Sequence, residues 1–527
     1  MRALLALLTA LAALVLAPAA QAKWYAAEAI DGPAEIASIG DVDLARDGTG
    51  GVVYIKPDGG VPQAFLSRMT GGAWSAPVKI SSGAPVTEAT VSATDGGRLL
   101  IAWIAGGQVL GTVVERAGAA PAAAAALGGP GASGLAVDMG INTDGYAVWS
   151  AAGDIRAARL ENTTWTPIPT ALDIDQARSA GTDASRPRVA VSAEGNSVVV
   201  WGEHHADGST HVRSRRLTGV TPSSASQDLT LGAFEGGAGG SADSPDIDIE
   251  DDGSFAWVVF RQDIGGRSRT VARRLRGSEY EAPFAIDAGQ PSGAPRIDFA
   301  GKGIGAAVAA TATNAIFSGY LDKFDEFKPA VKIDDTPGGP LPSPVVATSE
   351  RGDAYAAWRT AAGEVRARRK NGEKGFEREF LASNPAYGAI AAGQLAISAD
   401  RSGNTAVAML QGEGAGRRLT VSVYDRLPGR PVVLSSTRYR ARKPRLKWAA
   451  GSENWGVQTF TVLVDGKSVG RTRKTTLVSK RALRRGLHRY KVRATDRRGQ
   501  VSTSRTRTFR VGPGCRRCGS RSAAGAR

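Results

Sequence analysis

A glycine in a turn-like context recurs about every fifty residues along much of this chain. The eight positions are Gly48, Gly97, Gly145, Gly195, Gly253, Gly303, Gly352 and Gly403. A period of this length is typical of propellers and solenoids. The repeat therefore constrains the architecture, whereas any activity depends on the residues that decorate the scaffold.

The clearest repeat unit is Pro187–Trp201. Val189 and Val191 alternate with other residues, as expected of a strand whose two faces differ. Gly195 lies in a hairpin turn, because Gly and its neighbour Asn tolerate positive φ. An apolar second strand and an arginine-bearing third strand, His211–Leu217, follow. This order predicts an antiparallel meander of short strands, the unit of a propeller blade.

Most units carry a large residue six positions after the turn glycine: Tyr54, Trp103, Trp201, Trp358 and Met409. Trp149 comes four positions after Gly145, Phe260 comes seven after Gly253, and Ala309 takes this place in the Gly303 unit. Such a row suits sugar stacking or packing between neighbouring sheets. One residue per repeat at a nearly fixed spacing favours packing.

A fourth strand closes several units with an aromatic residue followed by an aliphatic one. The examples are Trp74…Ile80-Ser81, Tyr280…Ile286-Asp287, Phe327…Ile333-Asp334 and, more loosely, Phe376…Leu381-Ala382. Trp24…Ile30-Asp31 repeats this signature before the first full unit, and the last unit ends near Tyr424 without it. We therefore predict that the N-terminal strand completes the final sheet, which hides two sheet edges.

These patterns predict an all-β chain with an eight-bladed β-propeller over residues 23–428. Seven blades remain open if the Ala-rich segment Ala117–Leu127 is a degenerate unit. A right-handed β-helix is the structural alternative, but its strands are not joined by tight hairpin turns. The period and turn pattern resemble the degenerate propeller repeats of proteins exported by GC-rich bacteria.

From Gly429 onward the pattern changes to a basic module with strand-like segments around Trp448, Phe460 and Tyr490. We predict an immunoglobulin-like sandwich over 429–512, followed by a disordered tail over 513–527. The segment Leu487–Gly499 resembles the last hairpin of bacterial Ig-like or fibronectin-III-like modules of secreted proteins. That resemblance implies a fold and no catalytic residues.

Charge divides the chain at the same place. Residues 429–527 hold 27 Lys and Arg against three acidic residues, whereas the rest holds 39 against 47. A basic module of this kind is suited to anionic partners. For an exported protein, cell-envelope polyanions or acidic polysaccharides are favoured over nucleic acid, although nucleic acid binds such surfaces through the same counterion release.

Residues 1–22 predict a secretory signal peptide. Arg2 precedes the apolar run Leu4–Leu16, and Ala20-Gln21-Ala22 forms an Ala-x-Ala cleavage site ahead of Lys23. The run is too short to span a bilayer. We therefore expect a secreted protein, either free or associated with the cell surface; an uncleaved N-terminal anchor is the alternative.

The two cysteines, Cys515 and Cys518, predict a small disulfide loop or free thiols in the tail. Half of a zinc site and a redox motif are the alternatives. Zinc needs four ligands, and a redox pair needs a βαβ context.

Three other segments resemble functional sites. Ser398–Gly403 is near a sialidase-type box but lacks its Trp, and Asp248–Gly253 starts like a calcium loop but has Val259 at the twelfth position. Glu203-His204-His205 with His211 could hold a metal, although a solvated loop explains it as well. The sequence therefore assigns no catalytic residue, no cofactor and no metal site.

Two functions stay open. The first is a non-enzymatic, exported recognition or scaffold protein whose propeller presents a ligand-binding face and whose basic module docks to anionic envelope material. The second is a carbohydrate-active enzyme, a glycoside hydrolase or polysaccharide lyase, with paired carboxylates on the propeller loops.

Overall fold

The computed structural model describes residues 22–512 except 174, 176, 251–254, 288, 302, 312–315, 322–326 and 336–343. The predicted signal peptide, apart from Ala22, lies outside the described residues, as do Cys515, Cys518 and the tail. The chain divides into two compact units, Trp24–Asp425 and a second unit that begins at Arg426. Within the described part of the chain, no helix has the length and apolar character needed to cross a membrane.

The first unit is built from antiparallel sheets that follow one another along the chain. The first strand of the chain, β1, spans Lys23–Asp31. Sheet I contains β2 (Ser38–Leu44), β3 (Gly50–Asp58), β4 (Val61–Thr70), β5 (Ala73–Trp74) and β6 (Val78–Lys79), and sheet II contains β7 (Val86–Thr94), β8 (Arg98–Ala105), β9 (Gln108–Val114) and β10 (Ala125–Gly128). Sheet III contains β11 (Ala132–Met139), β12 (Gly145–Ala151), β13 (Asp154–Glu161) and β14 (Thr164–Pro167), and sheet IV contains β15 (Arg188–Val191), β16 (Asn196–His204), β17 (Thr210–Thr218), β18 (Thr221–Pro222) and β19 (Gln227–Asp228).

Four further sheets, V to VIII, complete the unit. Sheet V contains β20 (Ala233–Phe234), β21 (Gly237–Ile249), β22 (Phe255–Ile264), β23 (Arg267–Arg276), β24 (Glu279–Tyr280) and β25 (Phe284–Ala285). Sheet VI contains β26 (Arg296–Ala300), β27 (Ile304–Ala310), β28 (Ile316–Leu321) and β29 (Phe327–Lys332), and sheet VII contains β30 (Val345–Thr348), β31 (Ala354–Arg359), β32 (Val365–Lys370) and β33 (Phe380–Leu381). Sheet VIII contains β34 (Ile390–Ala399), β35 (Thr405–Gln411), β36 (Arg418–Asp425) and the N-terminal strand β1. Short 3₁₀ turns lie at Asp183–Ser185, Gly372–Lys374, Pro385–Tyr387 and Gly414–Gly416.

The sheets form a closed ring around a central channel. The first strand of each sheet, or in sheet V the second strand β21, contacts the corresponding strand of the next sheet, and β34 contacts β2. These eight strands, called the first strands below, are β2, β7, β11, β15, β21, β26, β30 and β34. A closed ring of four-stranded antiparallel meanders is a β-propeller. The predicted fold class is confirmed, and the β-helix alternative is wrong because neighbouring strands are antiparallel hairpins.

The N-terminal strand closes this ring as predicted. β1 pairs with β36, so sheet VIII contains strands from both ends of the unit. The ring of Trp24 packs against those of Tyr424 and Tyr355, with centroid distances of 5.3 Å and 6.0 Å. At the other end of β1, Asp31 accepts hydrogen bonds from the Tyr54 hydroxyl and, at 2.7 Å, from Lys56 Nζ. β1 is therefore held by its own sheet and by sheet I.

The repeated large residues on the second strands are buried between sheets. Tyr54, Trp201, Phe260, Trp358 and Met409 expose none of their surface, and Trp103 and Trp149 expose 2% and 3%. Each of the best-defined examples packs on the preceding sheet, as Trp201 does on Tyr146 and Val148. The prediction that this row packs rather than stacks on sugars is confirmed.

The structure corrects the turn predicted at Gly145. Gly48 and Gly195 adopt φ of 78° in their turns, but in sheet III the residue with positive φ is Thr143, at 77°, and Gly145 starts β12. Thr143 donates its N–H to the Gly140 carbonyl at 2.9 Å, as Gly195 does to Ser192. Trp149 is then six residues after the turn, so the spacing that looked irregular in the sequence is regular.

The second unit contains two sheets that share one core. One sheet has β37 (Val432–Val433), β39 (Arg445–Ala449) and β42 (Thr476–Val478). The other has β38 (Arg438–Tyr439), β40 (Thr459–Val464), β41 (Lys467–Thr472), β43 (Gly486–Thr495), β44 (Val501–Thr503) and β45 (Arg507–Val511). Trp448, Phe460, Tyr490 and Phe509 are buried in one cluster between them. The immunoglobulin-like class of this module stays a prediction.

Candidate functional site

Four aspartates project into the central channel from equivalent positions of the first strands. Each stands between two apolar residues that are buried or, for Val137, partly buried. The four triplets are Val42-Asp43-Leu44, Val137-Asp138-Met139, Ile247-Asp248-Ile249 and Ile297-Asp298-Phe299. Strand alternation sends the two apolar side chains to the opposite face from the aspartate. All four aspartates line a cavity of about 180 Å³ at the end of the channel where the first strands turn into the second strands.

Each aspartate accepts a hydrogen bond from a backbone N–H group of the next sheet. Asp43 Oδ2 accepts the Ala93 N–H at 2.7 Å, and Asp138 Oδ2 accepts the Val191 N–H at 2.6 Å. Asp248 Oδ2 accepts the Phe299 N–H at 2.6 Å, and Asp298 Oδ2 accepts the Thr348 N–H at 2.7 Å. The acceptor and the donor strand are about fifty residues apart in sequence. These bonds join sheets I to II, III to IV, V to VI and VI to VII.

Serines occupy the same strand position in two other sheets and extend the ring. The Ser398 hydroxyl accepts the Leu44 N–H and donates to Asp43 Oδ1, both at 2.9 Å, across the closing junction between sheets VIII and I. Ser92 donates to Asp138 Oδ1 at 3.2 Å between sheets II and III. Polar side chains in the channel therefore hold the ring of sheets together.

Burial changes the protonation of this ring. It raises the pKa of Asp138 to about 7 and that of Asp298 to about 6. Burial also raises the pKa of Asp43, and it raises that of Asp248 strongly, with a further contribution from the charges of Asp298 and Asp138. Carboxyls with pKa values near neutrality in a cleft are candidates for proton transfer. Here, however, N–H donors already occupy both oxygens of Asp138 and Asp248.

A larger cavity of about 590 Å³ occupies the other end of the channel, where the first strands begin. Its charged lining residues are Asp41, Glu88, Arg186, Arg188, Asp246, Arg296 and Asp298, and Asp298 also lines the first cavity. Burial and the neighbouring Asp43 charge raise the pKa of Asp41 to about 7. The two ends of the channel thus differ in charge: aspartates dominate one, whereas the other mixes arginines with acids.

Sequence reasoning did not identify this ring, although it singled out Asp248 and Ser398 as parts of other motifs. The sequence does contain a pattern that marks these aspartates. When the turn of sheet III is placed at Thr143, an apolar-Asp-apolar triplet stands at the same distance before four of the eight repeated turn positions. An aspartate in an amphipathic strand is unremarkable by itself, and its partner is a backbone N–H in another repeat. The pattern is visible only when repeats are aligned by their turns.

The residues that the sequence did single out have structural partners. In Ser398–Gly403, Asp400 Oδ1 accepts the N–H groups of Ser402 and Asn404, both at 2.9 Å, which is a turn arrangement. In the calcium-like segment, Asp248 belongs to the channel ring, and residues 251–254 lie outside the described part of the chain.

The histidine hairpin is better ordered than a solvated loop. Glu203 is buried and lies 3.2 Å from Arg178, and His211 lies 2.7 Å from Asp228. The rings of His205 and His211 stack with their centroids 4.0 Å apart. Among the described residues, no group of three or more His, Cys, Asp or Glu side chains is arranged to hold a metal ion. The expectation of a solvated loop is therefore wrong for Glu203, whose carboxylate serves as the counter-ion of Arg178.

Known propeller structures are similar to this chain. The BP39L lectin from Burkholderia pseudomallei is 12% identical with a TM-score of 0.45, and the match covers 66% of this chain and 99% of the lectin. The Dos1 propeller is 10% identical with a TM-score of 0.48, covering 76% and 95% of the two chains. The WD40 domain of SCAP from fission yeast is 10% identical with a TM-score of 0.47, covering 76% and 97%. No protein-family model and no curated protein matches the sequence.

Proposed function

We propose that this protein is a non-enzymatic, exported recognition or scaffold protein. In this proposal an eight-bladed propeller presents a rigid binding face, and a basic immunoglobulin-like module docks to anionic material of the cell envelope. The signal-peptide pattern of residues 1–22 supports export. The observation that carries the docking role is a row of cations on one strand of the module.

That row lies on β43. His488, Tyr490, Val492 and Ala494 are buried in the core, and the alternate residues Leu487, Arg489, Lys491 and Arg493 are exposed. Residues two apart in a strand are about 7 Å apart on the same face. On the neighbouring strand β45, Arg510 pairs with Leu487. On the other side, Thr461 of β40 pairs with Arg493, and Arg471 of β41 pairs with Thr461 in turn. The outer face of this sheet thus carries cations on three of its strands, beside the exposed Leu487.

The acidic residues of the module do not neutralise this surface. Its three carboxylates bind locally: Asp465 to His488 and the Arg489 N–H, Asp496 to the Gln500 N–H, and Glu453 to the Trp455 N–H. Among the described residues, no carboxylate oxygen lies within 4.0 Å of the charged groups of Arg489, Lys491 and Arg493. Cations without counter-ions in a row favour a linear polyanion as partner.

Charge reversal of the row tests the docking role. We expect R489E/K491E/R493E to elute from a polygalacturonate or poly(glycerol phosphate) column at much lower salt than the wild type. R473E/K474E/K480E removes three other exposed cations of the module and is the matched control. Equal losses in both variants would mean that net charge alone causes retention, and unchanged retention in the first variant would refute docking through β43.

The carbohydrate-active enzyme remains the second candidate because the pKa of Asp138 is raised to about 7, a value suited to a general acid. The bonds of Asp138 to the Val191 and Met139 N–H groups instead favour a structural role. Incubation with a panel of plant and bacterial polysaccharides distinguishes the two functions. Release of reducing or unsaturated ends by the wild type, abolished in a folded D138N variant, would establish the enzyme and contradict the proposal.

A further inference from the structure

The wide cavity at the strand-start end of the channel holds an excess of guanidinium groups over available carboxylates. Arg186 and Arg188 belong to sheet IV or its entry, and Arg296 begins β26 in sheet VI. A volume of about 590 Å³ is in the range of small-molecule sites. The residues come from several sheets, so only the assembled ring creates the cavity.

Three of the four acidic residues in this cavity are engaged by the backbone of the next sheet, and one of them is Asp298, whose Oδ2 accepts the Thr348 N–H at 2.7 Å. Glu88 accepts the N–H groups of Gly134 and Leu135, at 3.1 Å and 3.0 Å, with its two oxygens. Asp246 Oδ2 accepts the Ile297 N–H at 3.0 Å. The arginines gain little from either acid, because Arg186 lies 3.5 Å from Glu88 and Arg188 lies 3.8 Å from Asp246. These distances are longer than a charge-assisted hydrogen bond.

Arg296 is the least compensated of the three. Its guanidinium donates to the Pro295 carbonyl at 2.9 Å, and no carboxylate oxygen of the described residues lies within 4.0 Å of it. Burial and the like charge of Arg188 lower the pKa of Arg296, so its environment disfavours the cation that it nevertheless carries. An anion in the cavity would relieve this unfavourable charge.

We propose that this cavity binds a small molecule through a carboxylate or phosphate group held by Arg188 and Arg296. A guanidinium presents a planar pair of donors that matches the oxygens of either group. The remaining polar lining, which includes Asp41, Gln394 and Thr90, suits a hydroxyl-bearing body such as a sugar acid or sugar phosphate. The proposal rests on the binding role of the propeller and is independent of the basic module.

Binding at this site depends on pH through the carboxyl of Asp41. The groups that face it are Asp43 on its own strand, Arg188 on β15, Asp246 on β21 and Arg296 on β26. When the pH falls through about 7, Asp41 becomes protonated and its repulsion of a bound anion disappears. Affinity for a carboxylate ligand therefore rises between pH 8 and pH 6, and D41N reduces this change. Asp298, which also lines the cavity and whose pKa burial raises to about 6, contributes the rest.

Calorimetry on the whole mature protein tests the site with glucuronate, glucose 6-phosphate and glucose. We expect glucuronate or the phosphate ester to bind at least tenfold more tightly than glucose, and the stronger of the two identifies the anionic group. R296Q and R188Q each lower that affinity at least tenfold. R401Q removes an exposed cation at the opposite end of the same channel and leaves the affinity unchanged.

Equal affinity for all three ligands, no measurable binding, or an equal loss in R401Q would overturn the proposal. R188Q, whose side chain is 34% exposed, gives the result if R296Q does not fold. Retention of R188Q on a polyanion column distinguishes this proposal from the docking role of the basic module. If the docking role holds, this retention stays at the wild-type value whether or not R188Q binds the small ligand.

Discussion

At the residue scale, short polar contacts decide how neighbouring repeats meet. The four channel aspartates use one oxygen each to bind the backbone of the following sheet, and Ser398 completes the contact across the closing junction. An unsatisfied buried N–H costs about 1–3 kcal/mol, so these side chains contribute to the stability of the ring. The same burial that strengthens the bonds raises the pKa of each carboxyl.

The raised pKa values predict that the propeller is more stable in mild acid. An acid whose pKa is higher in the folded than in the unfolded state binds more protons when folded, so stability falls as pH rises through the folded pKa. For Asp138 the window runs from about 4 to about 7. The unfolding temperature should therefore be higher at pH 5 than at pH 8.

D138N checks the origin of this pH dependence. The amide keeps the size of the side chain and does not titrate in this window, so the difference in unfolding temperature between pH 5 and pH 8 should shrink. D207N is the control, because Asp207 lies in an exposed loop between β16 and β17. A difference that stays the same in D138N would show that Asp138 does not titrate as described.

Thr143 provides a second prediction at this scale. A β-branched residue at φ of 77° is strained, and glycine adopts this conformation without a Cβ clash. T143G should stabilise the protein by about 1 kcal/mol in urea unfolding, which is the usual size of such backbone strain. G195A, at the equivalent turn, should destabilise it, because the added Cβ would lie 2.7 Å from Asp144 Oδ2. A loss of stability in T143G would contradict the assigned turn.

At the element scale, much of the architecture was predictable because it depends on local signals. The turn residues and apolar second strands identified the hairpins, and the aromatic signature of the outer strand placed β1 in sheet VIII. The Ala-rich segment illustrates the limit: Ala125–Gly128 forms the outer strand β10 of sheet II, although its composition lacks the aromatic signature. Packing against β9 decides its conformation, and sequence periodicity does not report such long-range contacts.

Trp24 should contribute strongly to ring closure. It is 7% exposed, and its ring stacks on Phe380 with a centroid distance of 6.1 Å in addition to its contacts with Tyr355 and Tyr424. Truncating a buried Trp to Ala costs about 3–5 kcal/mol. We expect W24A to lower stability by this amount in urea unfolding and W24F to lower it by clearly less. Wild-type stability in W24A would mean that β1 does not contribute to the ring.

At the scale of the whole molecule, the division of charge is evident from composition and the N-terminal pattern predicts export, whereas the proposed binding sites could not be predicted from the sequence. The basic character of residues 429–527 is evident in the sequence. The row of cations on β43, however, depends on which side chains of that strand are buried in the core and which stay exposed. The cavity with the arginines is even harder to predict from the sequence. Arg188 and Arg296 are more than a hundred residues apart in the chain and line the same cavity only in the assembled channel.

Export predicts a defined N-terminus. Cleavage after Ala22 would leave Lys23 as the first residue, directly at the start of β1. The intact mass of protein recovered from culture medium should therefore correspond to residues 23–527. Protein that retains Met1–Ala22 and stays in the membrane fraction would instead support an uncleaved anchor.

Hydrogen–deuterium exchange along β1 tests the closed ring most directly. If β1 pairs with β36, the amides of residues 24–31 that point towards β36 exchange as slowly as those of the central strand β35, and both sets become exposed only when the propeller unfolds as a whole. Exchange of β1 within seconds, while β35 stays protected, would contradict a ring closed by the N-terminal strand.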